Sequence, residues 1–97
     1  MVYLIRHVRV ERDWEKMEDA SKAMMDYWRK QPTVKGVEMW GNIAGPQDEF
    51  RIVAKFDTLA DEEKFALGLW DDKGYGEVFM KFAAVFRLEE DELVRSF

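Results

Sequence analysis

From Tyr3 to Val10 the side chains alternate, and neither set is one that water alone would keep. One face reads Val2, Leu4, Arg6, Val8 and Val10, and the other reads Met1, Tyr3, Ile5, His7 and Arg9. Successive strand residues point to opposite sides, so this pattern predicts a sheet covered on both faces. The period changes after Asp13. Trp14, Met17, Ser21, Met24, Met25 and Trp28 recur at helical spacing, with charged residues on the opposite side. Asp13 is the expected N-cap, and Glu18–Lys22 and Asp26–Lys30 are the expected ion pairs four residues apart. Gln31-Pro32 ends this helix.

A second strand is expected over Val37–Ile43 and a third over Phe50–Phe56, joined as a hairpin through Ala44-Gly45-Pro46-Gln47-Asp48-Glu49. Thr58-Leu59-Ala60-Asp61 has the form of a capping box and opens a helix toward Trp70. Asp71-Asp72-Lys73-Gly74 breaks it, and Tyr75, Val78, Phe79, Phe82 and Phe86 then fit a third, short helix. Glu89–Asp91 reads as a loop and Glu92–Phe97 as the last strand. The order β-α-β-β-α-(α)-β predicts a single ferredoxin-like α+β domain over residues 1–97. Its four antiparallel strands would carry the helices on one face. Phe50, Ile52, Ala54, Phe56, Leu4, Val8, Val10, Val37 and Met39 supply the apolar face those helices need. The other face would hold Tyr3, Ile5, His7, Arg9, Glu38, Trp40, Asn42, Arg51, Val53 and Lys55. The chain is too short to supply a second helical layer, so a second copy is the simplest cover for that face.

Composition narrows the function classes. Fifteen Lys plus Arg against twenty Asp plus Glu give a net charge of −5, a balance that argues against nucleic acid as a partner. There is no cysteine, which removes disulfides, thiolate metal sites and thiol nucleophiles. No apolar run approaches the length of a membrane span, and the N-terminal residues lack the regions of a signal peptide. A cytoplasmic protein without a membrane partner is the expectation. His7 is the single histidine, a candidate general base or a metal or haem ligand because its pKa lies near neutrality; its alternative is a strand histidine bonded to a neighbour or to water. One histidine and no cysteine leave little for a transition-metal site, so no metal and no cofactor are expected. Trp40 and Asn42 offer a stacking wall and a hydrogen-bond donor for a planar ligand, or an aromatic packed at a seam between subunits. Tyr75, flanked by Gly74 and Gly76, is either a pocket gate or the first anchor of the short helix. The acidic runs Asp61–Glu63 and Glu89–Glu92 read as solvated surface and helix-start charges.

The element order, the two-sided sheet and the run Phe56-Asp57-Thr58-Leu59-Ala60-Asp61, leading to Leu69-Trp70-Asp71-Asp72 and Gly74-Tyr75, resemble the dimeric α+β barrel superfamily. Within it the chain is similar to NIPSNAP-like and antibiotic-biosynthesis-monooxygenase-like domains. The resemblance spans nearly the whole chain as a pattern, without a diagnostic catalytic motif. It implies two ferredoxin-like units pairing their sheets into a barrel, and a small-molecule cavity between the sheet and helices of each. Haem-degrading relatives carry an axial histidine on the helix after the third strand, where this chain has Trp70 and no histidine. The resemblance implies a homodimer, with higher assembly open, that binds a small aromatic or polyketide-like molecule. As an enzyme it would be a cofactor-free monooxygenase or isomerase, with His7 as base and Arg9, Arg51 or Lys55 stabilising an enolate. Tyr3, Trp40 and Asn42 would position the substrate. The alternative is a non-catalytic ligand-sensing or interaction module.

Overall fold

The computed structural model describes residues 1–97. Its strands are β1 (Val2–Val10), β2 (Gly36–Gly41), β3 (Glu49–Phe56) and β4 (Phe86–Arg95). Its helices are α1 (Met17–Arg29), α2 (Leu59–Asp71) and α3 (Lys73–Ala83). The strands form one sheet in the order β2-β3-β1-β4, with every pairing antiparallel. This is the ferredoxin-like α+β arrangement that the element order predicted.

The alternation decides which side faces the helices. Val2, Leu4, Val8 and Val10 of β1, Val37 of β2, and Ile52, Ala54 and Phe56 of β3 are buried in one core. Met24 and Trp28 of α1, Phe65 and Leu69 of α2 and Phe82 of α3 meet them there. Aromatic rings tie the layers together: Trp28 meets Phe65 edge-on at 5.4 Å, and Phe82 stacks on Phe86 at 4.4 Å. Such pairs add about 0.5–1.5 kcal/mol beyond the area they bury.

Several local expectations change. Asp13 does not cap α1: it sits in the left-handed region at φ 53°, its side chain makes no capping bond, and a 3-10 turn over Trp14–Lys16 starts the helix. The ion pairs on α1 are Lys22–Asp26 and Asp26–Arg29, because Asp26 lies within reach of both cations. β2 stops at Gly41, two residues before the expected Ile43. Asn42 donates through Nδ2 to the Pro46 carbonyl at 2.6 Å, which closes the hairpin and leaves Ile43 fully in water. Gly45 within that turn has φ 97°, a conformation that glycine alone adopts without strain.

The Thr58 capping signal holds, since its hydroxyl accepts from the Asp61 N–H at 3.1 Å. Asp72 ends α2 and caps α3 by accepting from the Gly74 N–H at 2.9 Å. The third helix stops at Ala83, so Phe86 belongs to a strand. Glu89–Asp91, expected as a loop, lies inside β4. A bulge between His7 and Val8 shifts the β1–β4 register and hides the alternation of β4. No helix is long and apolar enough to cross a membrane.

Candidate functional site

One charged residue points into the helix-covered side of β1. Arg6 follows the inward phase of Leu4 and Val8, and only 14% of its side chain is exposed. Its Nε and NH2 groups donate to the two carboxylate oxygens of Asp91 on β4, each at 3.0 Å, and its NH1 group donates to the Tyr75 hydroxyl at 3.3 Å. Its guanidinium also lies 5.1 Å from the Trp28 ring centre. Burial works against the charge of Arg6, but Asp91 and then Tyr75 outweigh it and hold its pKa above the ordinary value.

Beside this group the sheet and the second and third helices part to leave a cavity of about 570 Å³, open on one side. Phe65, Leu69, Trp70 and Phe79 supply its apolar wall, and Arg6, Tyr75, Asp91 and Glu62 its polar end. The volume falls in the range of small-molecule sites, and a few polar groups in an apolar cleft is their usual composition. Glu62 carries a raised pKa through desolvation, with the negative charges of Glu63 and Asp91 adding to it. A carboxylate of raised pKa in a cleft is a suitable proton acceptor.

Tyr75 is held by ring contacts to Tyr27 at 5.5 Å and Phe79 at 6.0 Å. The Tyr27 hydroxyl donates to Asp72, which thus anchors both the start of α3 and the tyrosine pair. A side chain added at Gly74 would put its Cβ 3.3 Å from that carboxylate and 3.5 Å from the Tyr27 oxygen, so glycine suits this crowded turn.

Apart from Tyr75, the sequence-predicted candidates lie on the other face. The register places Tyr3 beside Lys55, His7 beside Arg51 and Trp40 beside Arg51. His7 Nε2 lies against a Glu92 carboxylate oxygen. Arg9 is surrounded by acid, donating to Asp48 at 2.8 Å, Glu49 at 2.6 Å and Glu89 at 3.1 Å. Trp40 Nε1 and Lys55 Nζ both donate to Glu38, each at 3.1 Å, and Arg51 donates to Asn42 Oδ1 at 3.0 Å. His7, Arg9 and Arg51 share a shallow concavity of about 340 Å³, while Tyr3, Trp40, Asn42 and Lys55 lie outside its lining.

Arg6, Glu62 and Asp91 were not singled out from the sequence. The signal for Arg6 was present, as the one charge in the inward phase of an otherwise aliphatic strand. Asp91 carried none, because it stands in an acidic run that reads as solvated surface.

The chain matches no protein-family model and no curated protein sequence. Solved structures do match it over nearly its full length. The cofactor-independent oxygenase SnoaB from Streptomyces nogalater superposes with a TM-score of 0.80 at 10% identity, over 99% of this chain and 92% of that one. A NIPSNAP domain protein from Burkholderia xenovorans gives 0.74 at 13% identity, over 100% and 95%. An antibiotic biosynthesis monooxygenase gives 0.63 at 10% identity, over 97% and 94%. The chain therefore has the ferredoxin-like α+β fold of the antibiotic-biosynthesis-monooxygenase and NIPSNAP-domain structures, as its sequence pattern predicted.

Proposed function

We propose that this protein is a homodimer that binds a small, planar, largely apolar organic molecule between its sheet and helices. The observation that carries the reading is the cavity of about 570 Å³ with aromatic walls and the Arg6–Tyr75 pair at one end. Tyr75 accepts from Arg6, so its own O–H is free to donate into the cavity. An enolate or phenolate oxygen is the ligand group that this donor pair stabilises best. Glu62 is the group to accept a proton from the ligand. The carbanion so formed is resonance-stabilised and electron-rich, and such species react with O2 directly. The likeness to a structure described as a cofactor-independent oxygenase favours this chemistry over simple binding.

The outer sheet face is the proposed seam between two copies. Ile5, Val94 and Trp40 lie there among charges, and Val53 is already fully buried among them. A second reading keeps His7 as the base, with Arg9 and Arg51 beside it in the smaller concavity.

Native and denaturing mass spectrometry of the freshly purified protein tests these readings. The expected result is twice the chain mass plus a small mass that denaturation releases. Arg6→Met should abolish that extra mass and His7→Ala should retain it. The reverse pattern would move the site to the outer face, and a monomer would overturn the dimer. A released ligand that the protein does not convert under O2 would mark a sensing module.

A further inference from the structure

Four acidic residues follow one another on β4, and their pairing is uneven. Glu89 accepts from Arg9 at 3.1 Å and from Arg87 at 2.8 Å. Asp91 points to the helix side and is taken by Arg6. Glu90 and Glu92 remain on the outer face, and neither meets a lysine or arginine. Both flank His7: Glu90 is its direct partner across the β1–β4 ladder, and Glu92 is two residues along on the same face. One ligand atom from each of the three residues lies within 4.8 Å of the other two. The arginines nearest in the sheet are engaged elsewhere, Arg9 by three carboxylates and Arg51 by Asn42.

We propose that His7, Glu90 and Glu92 form a binding site for a divalent transition-metal ion. Two carboxylates side by side repel, and no lysine or arginine stands beside them to offset their charge. One nitrogen and two carboxylate oxygens form a ligand set that Zn²⁺ and its neighbours accept, with bonds of about 2.0–2.2 Å. Side-chain rotations on the two-strand platform would open the His7–Glu92 contact and bring Glu90 in to ligand distance from one ion. Three protein ligands leave a coordination position open, as catalytic zinc sites do. His7 and Glu90 also line the concavity of about 340 Å³, whose other walls include Arg9, Arg51 and Phe50. This concavity lies on the face proposed above as the seam, so in the dimer the second copy would close over the ion.

The site stands on the outer face and is independent of the helix-side cavity. Calorimetric titration of the tag-free chain with ZnCl2, and visible absorption with CoCl2, read it directly. One ion per chain and ligand-field bands in the Co²⁺ spectrum are expected. Glu90→Gln and Glu92→Gln, which keep the side-chain shape, should each weaken binding by about tenfold or more. His7→Ala should remove the Co²⁺ bands, while Glu63→Gln on α2 should leave binding unchanged. Absence of heat and bands with the unaltered chain would overturn the proposal. So would equal affinity in the unaltered chain and the His7→Ala variant.

Discussion

The two faces of this one sheet solve the problem of charge in opposite ways. The helix-side face encloses one cation, Arg6, and gives it a two-pronged carboxylate, a hydroxyl and an aromatic ring. The outer face carries His7, Arg9, Arg51, Lys55, Glu38, Glu90 and Glu92, linked in part by ion pairs. A buried charge is costly unless its partners are complete, so the inner face tolerates one and surrounds it. An exposed face can hold many, each pair worth little. Specific chemistry is therefore expected where few polar groups stand in apolar surroundings, and Arg6 and Tyr75 at the cavity meet that description.

The largest effect that sharpens this contrast is on stability. Trp28 is fully buried, so Trp28→Ala should cost about 3–5 kcal/mol in urea unfolding. Trp40, 44% exposed on the outer face, should cost less than about 1 kcal/mol when truncated in a monomeric background. Equal losses would show that the outer face packs as a core of its own.

Next comes association. Val94 is 38% exposed on the outer face, and Val94→Asp should weaken self-association by about 1 kcal/mol or more per copy, from its remaining apolar surface and the desolvation of the new carboxylate. Sedimentation would register a shift toward monomer, and unchanged association would place the seam elsewhere.

Arg6→Met should cost only about 1 kcal/mol of stability, because Asp91 is 46% exposed and water takes over as its partner. The same change should lower ligand affinity by about tenfold or more, the worth of a hydrogen bond to a charged group. Thermal melts and ligand titration separate the two effects.

The smallest effect concerns protons. Tyr27 donates to the Asp72 carboxylate, and this bond, with desolvation adding to it, pushes the Tyr27 pKa up to about 12 from 10.0. A raised pKa means that the contribution is complete below pH 10 and is lost as the pH climbs through about 12. Asp72 moves the other way, held below the ordinary carboxylate value chiefly by the Tyr27 bond. Its contribution is present above the ordinary value of 3.8 and fades as the pH falls below it. Ultraviolet titration should show Tyr27 ionising late, and Asp72→Asn should move it back toward the ordinary range.

Much of the fold was legible because it rests on period. The two-residue alternation of β1 and β3 and the spacing of Met24 and Trp28 on α1 named the core residues that the structure buries. Thr58 was legible as a cap because capping is a contact within a few residues. Asp13 misled because the chain enters α1 through a left-handed residue and a 3-10 turn, which no side-chain preference announces. β4 was misread between Glu89 and Asp91 because the bulge opposite His7 breaks its alternation. The inward residues there are Leu88, Asp91 and Leu93, opposite Val8, Arg6 and Leu4.

By itself, then, the sequence determined the element order, the inward and outward sets of β1 and β3, and the apolar stripe of α1. Those depend on local geometry and on which side chains leave water. Only the tertiary structure decided that Arg6 meets Asp91 and Tyr75, residues 85 and 69 positions away, at the end of a cavity. It also decided that Glu90 and Glu92 converge on His7. These sites depend on strand register and on the gap between packed layers, and neither quantity is carried by any short stretch of the chain.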